Sequence, residues 1–284
     1  MSSPTALFVG RATLDIVYAC AVFPEPDGKV DALADYQTGG GPALNAAVAF
    51  AGLGGRARLC SAIGEGLFAE VARADVVTYG VEVFDAAAGE AGVLPVSSVI
   101  LSGSSRAIVN QPLPERERVM PDGMLERLFE TRPAIVLSDG HLPELALPVL
   151  RRARAQGIPT VLDGGSWKPW TAELLPLIDM AVVSGRFRPP GADEVLGSLR
   201  RSIPAVAVTE GPRPIRWSAG DASGELRPPQ VTAIDTLGAG DIFHGAFCHA
   251  LASGGDFAAG LASASQVAAR SVQHYGPRAW IAAS

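Results

Sequence analysis

Cysteine, long apolar runs and surplus basic charge are all scarce in this 284-residue chain, and each scarcity excludes something. Only three cysteines occur, Cys20, Cys60 and Cys248, far apart and odd in number. They exclude a disulfide framework or a metal knuckle and read as small buried apolar side chains in a reducing compartment. No apolar stretch approaches the ~20 residues that a membrane-spanning helix needs. The opening MSSPTALFVG has neither a cationic start nor a long apolar core, so it reads as a first strand rather than a signal peptide. Lys and Arg number 23 against 29 Asp and Glu, a formal net charge of −6 with no basic stripe. That balance argues against a nucleic-acid partner. The expected protein is cytoplasmic, with no membrane partner, no internal repeat and no low-complexity tract.

Against these absences, 48% of the residues are hydrophobic. Such a chain can bury the core of one large α/β domain. Residues 6–10 form an apolar run ending in Gly, as a buried strand does. Residues 44–53 are Ala-rich with helical spacing, and two glycines follow as a stop. Residues 57–63 are the next strand. From 134 onward the rhythm is regular: strands at 134–137, 159–163, 180–184 and 205–209, helices at 142–156, 171–177 and 192–201. Short apolar strands alternating with helices predict a mostly parallel central sheet flanked by helices. Ligands in such sheets lie beyond the carboxyl ends of the strands, where Asp139, Asp163, Ser184 and Thr209 fall. Residues 30–37 alternate loosely, and 96–101 with 107–110 read as a hairpin about 102-SGSS-105. These segments predict a small sheet outside the core. Residues after Pro112 read as a charged surface loop.

One stretch concentrates chemistry: 235-DTLGAGDIFHGAF-247. Ile242, Phe243, Ala246, Phe247, Ala250 and Leu251 recur at helical spacing, so a helix starts near Gly240. A bare Gly-Ala-Gly turn at a helix N-terminus offers backbone N–H groups and the positive dipole end to an anion. Asp241 beside such an anion is electrostatically odd unless it takes a proton from an attacking hydroxyl. A capped helix behind a Gly-rich turn, with no ligand at all, is the plain alternative for the turn alone.

The full string resembles the C-terminal signature of the ribokinase, or PfkB-type, carbohydrate kinases. The chain also matches the family's N-terminal pattern: Gly10 after the first strand, Asp15 five residues on, then 39-GGGPALN-45. The resemblance implies a ribokinase-like α/β fold over residues 1–284, with a β lid from segments 16–38 and 94–111. It implies an ATP-dependent sugar kinase with Mg²⁺, and K⁺ as a further cation near the backbone of 234–236. Asp241 would be the general base, and the amides of Gly238, Ala239 and Gly240 the anion hole for the transferring group. Asp15 and Asn45, with Gly40 and Gly41, would read the sugar hydroxyls, with Arg106, Asn110 and His141 nearby. Thr209, Gly211, Asp235, Thr236 and Ser265 would serve the nucleotide, and Asp235 and Asp163 would order metal-bound waters.

The chain departs from the family pattern at two places. Pro214 stands where a second nucleotide-loop Gly is usual, and Ser-Gly-Arg-Phe at 184–187 replaces the N-x-x-E motif. Pro42 after the glycines, with 161-VLDGG-165, resembles the ketohexokinase and sulfofructose-kinase branch. His141 stands where the sulfosugar kinases carry an Arg, a poor replacement for a sulfonate clamp. An uncharged or weakly charged sugar is therefore expected. His244 and His249 read as packed or capping residues, and Lys168 and Trp167 as surface features. The alternatives are a nucleoside kinase, for which the lid holds only Tyr18, Phe23 and Tyr36 as aromatics, and a catalytically impaired binding module. Unpaired lid edges imply a homodimer.

Overall fold

The computed structural model describes residues 3–103, 105–112 and 118–282. Ser104 of the expected hairpin turn and residues 113–117 of the expected loop lie outside the described residues. The strands are β1 (Thr5–Val9), β2 (Thr13–Ala19), β3 (Ala34–Gly40), β4 (Arg56–Ser61), β5 (Glu82–Asp85), β6 (Val96–Ser102), β7 (Ser105–Asn110), β8 (Ile135–Ser138), β9 (Thr160–Gly164), β10 (Met180–Ser184), β11 (Ala205–Thr209), β12 (Ile215–Ala219) and β13 (Ala222–Leu226). The helices are α1 (Pro42–Gly52), α2 (Leu67–Thr78), α3 (Met124–Leu128), α4 (Pro143–Ala155), α5 (Thr171–Leu174), α6 (Val195–Leu199), α7 (Ala239–Ala252), α8 (Phe257–Ser271) and α9 (Ala279–Ala282).

The main sheet runs β13-β12-β11-β10-β9-β8-β1-β4-β5. Its pairs from β11 to β5 are parallel, and β12 and β13 add an antiparallel hairpin at one edge. Successive side chains of a strand point to opposite faces, and β1 shows the consequence. Ala6 and Phe8 join a core with α1, α2, α7 and α8, while Leu7 and Val9 join one with α3, α4 and α6. Burial on both faces explains why the central strands read as unbroken apolar runs.

A second sheet, ordered β3-β2-β6-β7, stands apart from the first. Only Val17, Val99 and Leu101 form its buried cluster, with Ala19, Tyr36 and Leu237 packed against them. β7 is exposed throughout. The expected elements appear with shifts of one or two residues at most ends. The helix expected at 192–201 is shorter, since Glu194 caps α6 by accepting from the amides of Leu196 and Gly197. β2 falls mostly within the expected lid segment 16–38, though not as a strand of its own, and no expectation covered α2, β5, β12, β13 or α8. β2 alternates buried and open positions weakly, and β13 is almost wholly exposed, so neither has an apolar run to betray it.

Candidate active site

The first turn of α7 lies beyond the carboxyl ends of the central strands. Gly238, at φ 71°, precedes it without any side-chain cap. Among the described residues the amides of Gly238 and Gly240 meet no protein acceptor, whereas the Ala239 amide donates to Thr236 O at 3.3 Å. Two of the three expected anion-hole amides are thus open, and the third is partly engaged within its turn. Asp241 follows, half-buried. Burial, and next the charge of Asp163, raise its pKa to about 7, against a smaller lowering by Asn45. A carboxyl poised there can accept a proton at neutral pH.

Asn45, buried in α1, donates Nδ2–H to Asp241 Oδ2 at 2.8 Å. Its amide is oriented by Arg278, which donates from Nη1 to Asn45 Oδ1 at 2.9 Å. The same guanidinium donates to Gly39 O at 2.7 Å and to Asp75 Oδ2 at 3.1 Å. Asp75, on α2, also accepts from Thr38 Oγ1 and from the Gly39 amide. The chain end, α2, β3 and α1 are therefore tied together behind Asp241. Asp15 on β2 is 7% exposed, and burial raises its pKa against hydrogen bonds from Thr13 and Ser97. Gly40 passes so close that a Cβ there would sit 2.3 Å from Asp15 Oδ2. Gly41 is the residue before α1. Asp15, Gly40, Gly41 and Asn45 are thus brought together with Asp241.

Asp163 and Asp235, the two other acids expected at the site, differ in their surroundings. Asp163 Oδ2 lies 3.2 Å from His244 Nδ1, and burial drives Asp163 well up and His244 down. His244 Nε2–H donates to Val182 O at 3.0 Å, and Nδ1 lies 2.7 Å from Gly240 O. A neutral imidazole has one N–H and so donates to one of these two carbonyls at a time. His244 thus pins the turn of α7 to β9 and β10. Asp235 accepts from the Tyr36 hydroxyl at 2.8 Å, the Gly276 amide at 3.0 Å and the Leu237 amide at 2.8 Å. Arg106 reaches Thr236, not the sugar side, donating from Nη1 to its carbonyl at 3.0 Å and its hydroxyl at 3.1 Å. The small sheet is held to the 235–236 loop from two strands. Asn110 is exposed at the end of β7, and the His141 amide donates to Asp139 Oδ1 at 2.8 Å.

The pfkB family carbohydrate kinase pattern matches residues 188–282. A candidate ribokinase from Agrobacterium tumefaciens has a solved structure that is 31% identical; the match covers 99% of this chain and 94% of that one, with a TM-score of 0.84. The chain belongs to the PfkB family of carbohydrate kinases. It is similar over most of its length to two curated proteins as well, each 25% identical. One is an ATP-dependent ribose-1-phosphate kinase of Halopiger xanaduensis, covering 96% of this chain and 93% of its own; the other is the ribokinase of Bacillus subtilis, covering 94% and 92%.

As a PfkB-family carbohydrate kinase, the protein is a phosphotransferase with an alcohol group as acceptor. Of the residues expected to serve the nucleotide, Thr209 ends β11 half-buried, and Gly211 follows at φ 63°. Ser265 on α8 is buried with its hydroxyl unpartnered. At the site of the absent N-x-x-E motif, Phe187 is buried against Trp167, their rings 5.5 Å apart edge to face. Trp167 is therefore core packing, and Trp170 donates its indole N–H to Gly140 O. Among the described residues no cluster of three or more His, Cys, Asp or Glu is placed to hold a metal ion. Asp235 is filled by three donors, whereas Asp163 Oδ2 is buried beside His244 Nδ1 with no hydrogen-bond partner, so of the two acids Asp163 keeps an oxygen open for a metal-bound water. Thr236 O is likewise taken by Arg106 and Ala239, which leaves K⁺ little of the expected carbonyl set. Among the described residues no helix is long and apolar enough to cross a membrane.

Proposed function

We propose that this kinase transfers the γ-phosphoryl group of ATP to a primary hydroxyl of a monosaccharide of the ribose or ketose type, with Asp241 as general base. The observation that carries the reading is the Asp241 carboxyl, held by Asn45 beside the open amides of Gly238 and Gly240. Asn45 occupies Oδ2, which leaves Oδ1 to take the hydroxyl proton. The freed oxygen attacks the γ-phosphorus in line, and the bond to the bridging oxygen breaks to leave ADP. Phosphoryl transfer asks the protein for alignment and charge stabilisation more than covalent chemistry. The amides receive the developing negative charge of the equatorial oxygens. Asp15 accepts from sugar hydroxyls, so a deoxygenated analogue leaves a buried acceptor unmet.

The substrate type rests on the names of the two curated relatives and on the motif. Thr209, Gly211 and Ser265 line the nucleotide side in this reading. The small sheet is a lid whose closure excludes water and so suppresses wasteful ATP hydrolysis. Its exposed β7 edge pairs with a second copy as a homodimer. An ADP-release assay across ribose, ketoses, other monosaccharides and nucleosides tests the reading. Sugar-dependent release by wild type and its loss in Asp241→Asn is expected. Release with nucleosides alone would assign a nucleoside kinase, and release with no compound would leave a binding module.

A further inference from the structure

Beside the carboxyl ends of β1, β8 and β9 lie two half-buried cations that touch no carboxylate among the described residues, although the charges of Asp139 and Asp15 act on Arg11 and those of Asp139 and Asp163 on Lys168. Arg11 follows β1; among the described residues its one side-chain hydrogen bond is a long one, from Nη2 to Gln111 O at 3.4 Å. Its Nε–H is buried with no acceptor at all. Lys168 follows β9, and Nζ has only Ser166 O, at 3.3 Å. A Cβ placed on Gly140 would lie 3.7 Å from that Nζ, so Lys168 reaches over the loop that carries His141. The charges of Lys168 and Arg11 both bear on His141, and each cation bears on the other. Neither makes an ion pair among the described residues.

The nearby acids offset these charges from a distance but give neither cation a direct acceptor. Asp139 is satisfied by backbone amides: Oδ2 accepts from Arg11 at 2.8 Å and Ala43 at 3.2 Å, and Oδ1 from His141 at 2.8 Å. Asp15 accepts from Thr13, and Asp163 faces His244. Burial disfavours the charged forms of Arg11 and Lys168. Two cations close together, partly out of water and short of hydrogen-bond acceptors are better satisfied when an anion arrives.

We propose that Arg11 and Lys168 form a subsite for an oxyanion carried by the sugar itself, as a carboxylate, phosphate or sulfonate substituent. The inference rests on the sugar-kinase reading and narrows it to an anionic monosaccharide, which reverses the expectation of an uncharged one. A guanidinium with a free Nε–H and an ammonium with free protons suit such a group. His141 does not need to replace a clamp Arg, because the positive charge comes from two other loops.

The test compares neutral ribose and fructose with their carboxylate, phosphate and sulfonate derivatives, using ADP release by wild type, Arg11→Met and Lys168→Met. The expected result is a kcat/KM at least 10-fold higher for one anionic class, which identifies the substituent, and a 10- to 100-fold loss of that preference through KM in each variant, the range of charged hydrogen bonds. Preference for neutral sugars by wild type, which needs no variant, would overturn the proposal. So would equal losses on neutral and anionic sugars, which would move the two cations to the phosphoryl group of the nucleotide. If no sugar releases ADP, the kinase reading fails. Calorimetric titration of the same sugars into Asp241→Asn then decides alone: tighter binding of an anionic member supports the subsite, and equal or weaker binding removes it.

Discussion

Asp241 is a carboxyl whose burial raises its pKa into the neutral range, where its titration is open to measurement. With the folded pKa raised to about 7, the base is protonated below that pH, so kcat/KM should rise tenfold per pH unit below about 7 and level off above it. A profile flat from pH 5.5 to 8.5 would contradict this. The stability consequence has the opposite slope. The folded chain keeps this proton up to about pH 7, while the unfolded chain releases it near its ordinary 3.8. The stability it contributes is thus present at low pH and lost as pH rises through about 7. Asp241→Asn should therefore raise the melting temperature more at pH 8 than at pH 4.5. Arg278 acts one step behind. Its fork sets the Asn45 amide so that the NH₂ group, not the carbonyl, faces Asp241. Arg278→Met should lower kcat by about 10-fold or more with ATP affinity kept, and Arg278→Lys should rescue little, because a point charge lacks the fork. Steady-state kinetics beside nucleotide titration reads both.

At the scale of elements, the crossing of α1 and α7 brings Asn45 to Asp241. Gly245 makes that approach possible: a Cβ there would lie 2.3 Å from Ala46 O and 2.7 Å from the Ala49 Cβ. Gly245→Ala should cost roughly 1–3 kcal/mol by urea denaturation, the range of overpacking, and reduce kcat by separating the pair. A variant of wild-type stability and rate would show that the helices have room. Elements with both faces buried were legible in the sequence, as β10 and β11 show, since continuous apolar runs bounded by Gly or Pro betray them. The signature helix was legible too, from its spacing and its glycines. α2 was not, because only Ala69, Ala72 and Val76 of it are buried, too few for a clear stripe. That omission hid Asp75, and with it the network of Arg278, whose partners lie more than 200 residues away in sequence. His244 was read as packed or capping, which is half of its position: its helical spacing predicted burial, but no local pattern reveals a contact with Asp163 across the sheet.

At the scale of the whole molecule, two sheets meet over the strand ends, and the 235–236 loop is gripped by the small one through Tyr36 and Arg106. The sequence showed both sheets and the acids between them, but not that Asp235 braces this junction, because a carboxylate's partners are set by tertiary approach. Tyr36→Phe with Arg106→Met should loosen the lid and raise sugar-independent ATP hydrolysis relative to transfer, measured as ADP formed per sugar phosphate. A ratio unchanged from wild type would deny the lid that role. Light scattering should give twice the 29.3 kDa chain mass for the homodimer, and a monomer at all concentrations would exclude it. The account stands on proton removal by one carboxyl beside open amides. The most direct check is single-turnover phosphoryl transfer by Asp241→Asn with saturating ATP and the best sugar. Transfer should fall by roughly 10²–10⁴-fold while ATP still binds with near wild-type affinity, and transfer within a few-fold of wild type would contradict it.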